Sequence, residues 1–328
     1  MKRLRQALAG LALMILAAPG FTQPLSTGSG QAYPGKPIRI IVPNAASGLA
    51  DICTRLMAAK LADALGQQVL VENRPGAGGT IGTAAAAKAA PDGYTLLSVF
   101  DSHASNPHLF RNLPYDTLAD FAPISLLVRG PLVLVVRPSL GTASVAGLVK
   151  LAKSTPGAIN FAVVGPGSPA RLLMELFQVE AGIDVTMVAY KGAGLALGDL
   201  VGGQVDAMFA TVPSVSSHLK AGRLRALATT SEERSPILPG VPTMRETYTG
   251  FASEAWVGLL APAKTPPEII ARLNAEVVRI LGQPEMKARL AEQGLETVGS
   301  TPADLDRWIR AETERWGKVI RERKITLE

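Results

Sequence analysis

Residues 71–97, VENRPGAGGTIGTAAAAKAAPDGYTLL, decide the fold. They read as strand, glycine-rich turn, small-residue helix, turn and strand. Pro75-Gly76-Ala77-Gly78-Gly79 breaks a strand and suits a tight turn. Thr80 then opens an alanine-rich helix, which Pro91-Asp92-Gly93 ends. A helix start free of bulky side chains offers unpaired N–H groups, and the helix dipole adds to their preference for an anion.

Working outward, the same pattern recurs. Ile38–Pro43 is a β-rich run, and residues 48–65 place Leu49, Cys53, Leu56, Leu61 and Leu65 at helical spacing. Val69–Glu72 and Thr95–Phe100 read as strands on either side of a helix at Thr80–Ala90. This βαβαβ order predicts a parallel sheet with right-handed crossovers. A second series starts after Gly130. Its strands are expected at Leu132–Val136, Asn160–Val164, Val185–Ala189, Ala207–Ala210 and Ala226–Thr229. Helices are expected between them at Val145–Lys153, Ala170–Ala181, Leu195–Val201 and Val212–Ala221. Trp256–Ala261 reads as one more strand. The tail is helical over Pro267–Leu281, Pro284–Gln293 and Pro302–Arg323, each opening on a proline as helix starts often do. The expected class is α/β, with two Rossmann-like lobes joined by a double-crossover hinge near residues 133 and 252. Residues 33–133 plus 253–328 form lobe 1 and residues 134–252 form lobe 2. A cleft between two such lobes is where a ligand sits.

The first residues speak to compartment. Lys2, Arg3 and Arg5 precede the apolar run Ala7–Ala18, a basic region and short apolar core that read as a secretory signal. Residues 1–32 are assigned to this signal and a polar spacer. The 328-residue chain carries a net charge of +6, and residues 1–32 hold three bases and no acids, which leaves +3 for the rest. That is too little for a nucleic-acid partner. Cys53 is the single cysteine, so an intramolecular disulfide is excluded. It lies on the apolar stripe Leu49, Cys53, Leu56, Met57 and reads as core rather than as a nucleophile.

Four loops carry candidate chemistry. Pro43–Asp51 joins the end of the first strand to the first helix, the binding edge of an open α/β sheet. There Asn44, Ala46, Ser47, Gly48 and Asp51 either contact a ligand or, for Ser47 and Asp51, cap the helix. Gly78 marks the glycine turn. Gly165-Pro166-Gly167-Ser168-Pro169-Ala170 formally matches a dinucleotide pattern, but its two prolines remove N–H donors and an acidic ribose partner is missing at Tyr190-Lys191. It reads instead as a second helix start facing a ligand through Gly165, Gly167 and Ser168. Arg171 opposes its helix dipole, so it either pairs with a ligand carboxylate or lies exposed on the helix face. Asp101-Ser102-His103 follows a strand at the same edge and suggests ligand contact or, as an alternative, a secreted hydrolase using these three residues. The chain lacks a G-x-S-x-G elbow and histidine pairs at metal-ligand spacing. Tyr190, at a strand end, either faces the cleft or is buried.

Together these residues resemble the extracytoplasmic receptors of tripartite tricarboxylate transporters, the Bug receptors. The resemblance runs from Tyr33 to Lys318. It is carried by Tyr33-Pro34-Gly35-Lys36-Pro37-Ile38, Val71–Leu97, Asn112-Leu113-Pro114-Tyr115-Asp116, Asp120-Phe121-Ala122-Pro123, Tyr190-Lys191-Gly192, Gly202-Gly203-Gln204-Val205-Asp206 and Leu224-Arg225-Ala226-Leu227-Ala228. It implies a two-lobed periplasmic binding protein of type II-like fold that closes on a small carboxylate, held partly through water, and delivers it to a membrane permease. It implies no catalysis and no cofactor, a monomer, and a ligand site at Asn44–Asp51 and Gly165–Ser168. The chain departs from the family's pattern at Asn44, Ala46, Ser47 and Leu49, where an aromatic residue, a proline and glycines are usual. It departs again at Val163 and Val164 in place of serines, and at Arg171 in place of a histidine. Ala210 and Thr211 stand where amino-acid binders can carry an acid. These departures argue against an α-amino acid, and Arg171 leaves room for a second carboxylate. A sensory role, passing the ligand signal to a membrane kinase, uses the same lobes and stays open alongside transport.

Overall fold

The computed structural model describes residues 33–46, 48–165, 168–249, 251–322 and 324–325, and residues from Pro34 onward form one compact unit. The signal-and-spacer segment, residues 1–32, lies outside the described residues.

The chain opens on β1 (Ile38–Val42), whose apolar residues are almost fully buried. Helix α1 (Leu49–Leu65) crosses to β2 (Val69–Asn73), and α2 (Thr80–Ala87) crosses to β3 (Thr95–Phe100). β1 pairs in parallel with both β2 and β3, as the periodicity predicts. The close fit of α2 on this sheet explains a glycine inside a helix. A Cβ on Gly82 would lie 2.7 Å from Arg74 O and 2.9 Å from Pro43 Cα, so the helix approaches the end of β1 only because no side chain is there.

The sequence reading missed α3 (Ser102–Leu109), whose polar composition and internal Pro107 hide it. It also missed the first half of β4 (Phe121–Val136), a continuous 16-residue strand. Pro123, Gly130 and Pro131 punctuate that run as a loop would. In the structure, register shifts at Pro123/Ser125 and Leu126/Val128 let the strand absorb these interruptions.

The second half contains α4 (Val145–Ser154), β5 (Asn160–Val164), α5 (Pro169–Ala181), β6 (Thr186–Tyr190), α6 (Ala193–Gly202), β7 (Ala207–Thr211), α7 (Val212–Lys220) and β8 (Arg225–Thr229). Then β9 (Glu254–Pro262) returns to the first half. The chain ends with α8 (Pro267–Leu281), α9 (Pro284–Ala291), β10 (Glu296–Thr297) and α10 (Pro302–Glu322). Among the described residues the strands form one ten-stranded sheet with the central order β2-β1-β3-β9-β4-β7-β5-β6. β8 and β10 pair with β4 off this path.

The fold is a two-lobed α/β binding-protein fold on a curled mixed sheet. β4 belongs to both halves: residues 121–131 pair with β9, and residues 132–136 with β7. The return crossing is riveted to it at Thr230, which is fully buried. The Thr230 amide donates to Leu132 O (2.8 Å), and the Leu132 amide donates to Thr230 Oγ1 (2.9 Å). The Thr230 hydroxyl donates in turn to Ser253 O (2.5 Å). One side chain therefore ties together the outgoing strand and both ends of the return segment.

Two outcomes test this account. Replacing Thr230 with Val keeps the shape but strands a buried donor and a buried acceptor, so urea unfolding should show a loss of about 2–4 kcal/mol. Gly82→Ala should lose about 1–3 kcal/mol through overpacking, the reverse of the gain that helix propensity alone would give.

Candidate functional site

Strand register brings the two halves' binding edges together. Phe100, the last residue of β3, aligns through Val257 with Val128 of β4. Thr211, the last residue of β7, aligns with Leu132 of β4. β3 and β7 run toward the middle of β4 from opposite ends. Their C-terminal ends meet it four residues apart, a span of about 13 Å. In parallel α/β sheets this is the ligand edge, and here one edge faces the other. Leu49 at the start of α1 and Ala170 at the start of α5 pack on the same apolar cluster, which draws the first-strand loop toward the second half.

Several helix starts on these edges lack a side-chain cap. α1, α2 and α6 begin after Gly48, Gly79 and Gly192, without a side-chain cap. Thr211 precedes α7 and makes no side-chain cap; its hydroxyl donates to Ser214 Oγ (3.3 Å). Ser168 caps α5, its Oγ accepting from the Arg171 amide (3.3 Å), and that hydroxyl still has its own proton to donate. Gly165 has φ +73, the left-handed turn expected of a glycine at that loop. Ser47 and Gly167 lie outside the described residues.

The first-strand loop is braced from below. Asn73 Nδ2 donates to Asn44 O (3.1 Å) and to Asp51 Oδ1 (2.9 Å). Arg55 donates through Nε to Asp51 Oδ1 (3.0 Å) and through Nη2 to Asn73 Oδ1 (2.8 Å). Asp51 therefore orients the loop, its buried carboxylate accepting from both Arg55 and Asn73. The Asn44 side-chain oxygen is buried without a hydrogen-bond partner, and Ala46 is exposed at the loop tip.

Asp101, Ser102 and His103 do not form a reactive trio. Asp101 caps α3, its Oδ1 accepting from the Ser102 amide (3.1 Å). Ser102 Oγ donates to Gly78 O (3.2 Å). His103, expected as a ligand contact, is corrected to a packing residue. Its ring sits between Tyr115 (6.4 Å, stacked) and Phe121 (5.5 Å, edge-on), with Nε2 on Thr117 O at 3.2 Å. Burial lowers its pKa to about 4. Tyr190 is half-buried and its hydroxyl donates to Asp199 Oδ2 (2.7 Å), so its polar end is already engaged. Arg171 forms an ion pair with Glu175 one turn on, at 3.6 Å, with its side chain about a fifth exposed. Cys53 is buried, and burial pushes its thiol up to about 12, as its core reading required.

Asp101 is the unusual acid. Burial, then the nearby Glu312, pushes its carboxyl up to about 8. At neutral pH it is largely protonated and does not repel an anion at that edge. Sequence reasoning missed Glu312 and α10 altogether as parts of this site. Glu312 accepts from Trp316 Nε1 (3.1 Å) and pairs with Arg315, which also donates to Ala252 O on the return segment.

The profile of the Tripartite tricarboxylate transporter family receptor matches residues 53–325. The chain belongs to that family. It is 41% identical over 312 residues to Protein BugT of Bordetella pertussis, covering 94% of this chain and 95% of that one. A solved R. palustris protein with adipate superposes with a TM-score of 0.86 at 35% identity, covering 90% of this chain and 99% of the other. MatC from Rhodopseudomonas palustris with bound malate superposes at 0.82 and 35% identity, covering 88% and 100%. The family is described as that of a transporter receptor, and two of its solved relatives hold a carboxylate.

The buried acid makes a pH prediction. A carboxyl whose folded pKa is raised holds its proton more tightly when folded, so its contribution to stability falls as pH rises from about 4 to about 8. Asp101→Asn keeps the capping oxygen and removes that loss. Thermal unfolding across pH 5–8 should show the variant gaining on the parent as pH rises, with the widest gap at pH 8.

Proposed function

We propose that this protein is a periplasmic receptor that captures a small organic carboxylate between its lobes and presents it to a membrane permease. The observation that carries the reading is the convergence of the two binding edges on the middle of β4, each edge carrying helix starts without a side-chain cap. Unpaired N–H groups and helix dipoles favour a carboxylate there. The acids near that edge do not oppose it: Asp51 is paired with Arg55, and Asp101 is largely neutral. The adipate and malate bound by the two structural relatives belong to the same chemical class.

The ligand site comprises Asn44–Asp51, the turn at Gly78, Gly165–Ser168, Arg171 and Thr211. Residues 33–133 plus 253–328 and residues 134–252 act as the two bodies, and the crossings near residues 133 and 252 act as the hinge. The chain acts as an exported monomer, without a cofactor. Arg171 supports a ligand with a second carboxylate, because a guanidinium grips a carboxylate through two parallel bonds. Ala210 and Thr211, where an ammonium would need an acid, support selection against α-amino acids.

Isothermal titration with malate, adipate, their monocarboxylate counterparts and aspartate tests this. A dicarboxylate should bind, and Arg171→Ala should weaken it about 10-fold or more, the scale of one charge-assisted bond. Binding confined to sugars or amines would overturn the ligand class. An unchanged dissociation constant in Arg171→Ala would remove that residue from the site.

A further inference from the structure

We infer that Ser102 and Asn106 are positioning residues for the ligand turn: from one face of α3 they grip the Gly78 carbonyl and keep it turned away from an incoming carboxylate. The inference rests on the carboxylate reading above and adds to it the part that prepares the site.

The turn has unusual freedom. Gly76, Ala77, Gly78 and Gly79 have φ of +131, +45, +65 and +93, four successive residues in the region that favours glycine. The Gly78–Gly79 peptide has no Cβ on either side, so sterics do little to choose between its carbonyl facing one way or the other. The choice matters because the turn lies against the end of β1. A Cβ on Gly79 would lie 3.3 Å from Pro43 O, next to the Asn44 loop. A carbonyl turned toward a bound carboxylate would set like partial charges against each other.

Helix α3 settles that choice. Ser102 and Asn106 are four residues apart, so they share a helix face. Ser102 Oγ donates to Gly78 O at 3.2 Å and Asn106 Nδ2 donates to the same oxygen at 3.1 Å. A carbonyl has two acceptor positions, and both are filled. Both side chains are buried, 3% and 1% exposed. The other buried polar residues of α3 have other duties: Ser105 Oγ donates to Ser102 O (3.3 Å), and His103 faces Thr117 O. Asn106 also lies beside the Tyr115 hydroxyl, whose titration it influences.

The test compares Asn106→Ala, Asn106→Asp, Ser102→Ala and the control Ser105→Ala, in protein carrying 15N-labelled glycine. Asn106→Asp keeps the volume and replaces the donor with an oxygen that repels Gly78 O. In ligand-free protein, the Gly78 and Gly79 amide resonances should move in the three grip variants and stay in place in Ser105→Ala. Malate and adipate titrations should show dissociation constants raised about 10-fold or more in the Asn106 variants and within twofold of the parent in Ser105→Ala. Unmoved glycine resonances, or equal losses of affinity in Ser105→Ala, would overturn the inference. Should the Asn106 variants fail to fold, the Ser102→Ala resonances decide it. A parent protein that binds no carboxylate would sink the proposed function, while the glycine resonances would still judge the grip.

Discussion

One strand holds this molecule together. β4 runs unbroken from Phe121 to Val136 and serves both halves of the one sheet in turn. Its first part pairs with β9 and its second with β7 and β8. Because a strand cannot be half in one place and half in another, the two halves are oriented through its geometry. β3, through β9, and β7 reach its middle from opposite directions, and this brings the C-terminal edges of two α/β series toward each other. The return crossing adds a second tether at Thr230, where three hydrogen bonds concentrate in a buried side chain and its amide. Two adjacent tethers hold the crossings between the halves side by side.

The electrostatics of the cleft follow from the same arrangement. Helix starts without side-chain caps supply a diffuse positive potential there. Such a site tolerates few free negative charges, and those at this edge are managed in different ways. Asp51 is bound by Arg55 and Asn73 and braces the first-strand loop. Asp101 is buried near Glu312 and keeps its proton at neutral pH. Glu175 is paired with Arg171. A dicarboxylate that engages Arg171 would have to compete with Glu175. In the proposed site that competition would make Arg171 a selective rather than a general anion contact.

Much of the architecture was legible in residues 71–97 and their counterparts, because the 2-fold and 3.6-fold periodicities of buried faces are local. The parallel order of β1, β2 and β3, the helical tail and the core placement of Cys53 all follow from that. The Asn44–Asp51 loop and Gly165–Ser168 were legible as strand-to-helix junctions for the same reason. α3 was not legible: its buried face is polar, and no hydrophobic stripe marks a helix whose partners are a carbonyl and an aromatic cluster. The first half of β4 was hidden by Pro123, Gly130 and Pro131, whose local preferences speak for a loop. Long-range pairing with β9 overrode them by shifting register.

The sequence by itself determined the family, the two α/β series and their strand-to-helix junctions, since motifs and periodicity are written in consecutive residues. Tertiary structure alone decided what three neighbouring residues do. Asp101, Ser102 and His103 look like one chemical unit in the chain. In the fold they point to a helix cap beside Glu312, to the Gly78 carbonyl and to an aromatic core. The reason is geometric: successive side chains at the start of a helix diverge by about 100°. What each one meets is set by segments distant in the chain, α10, the glycine turn and residues 115–121.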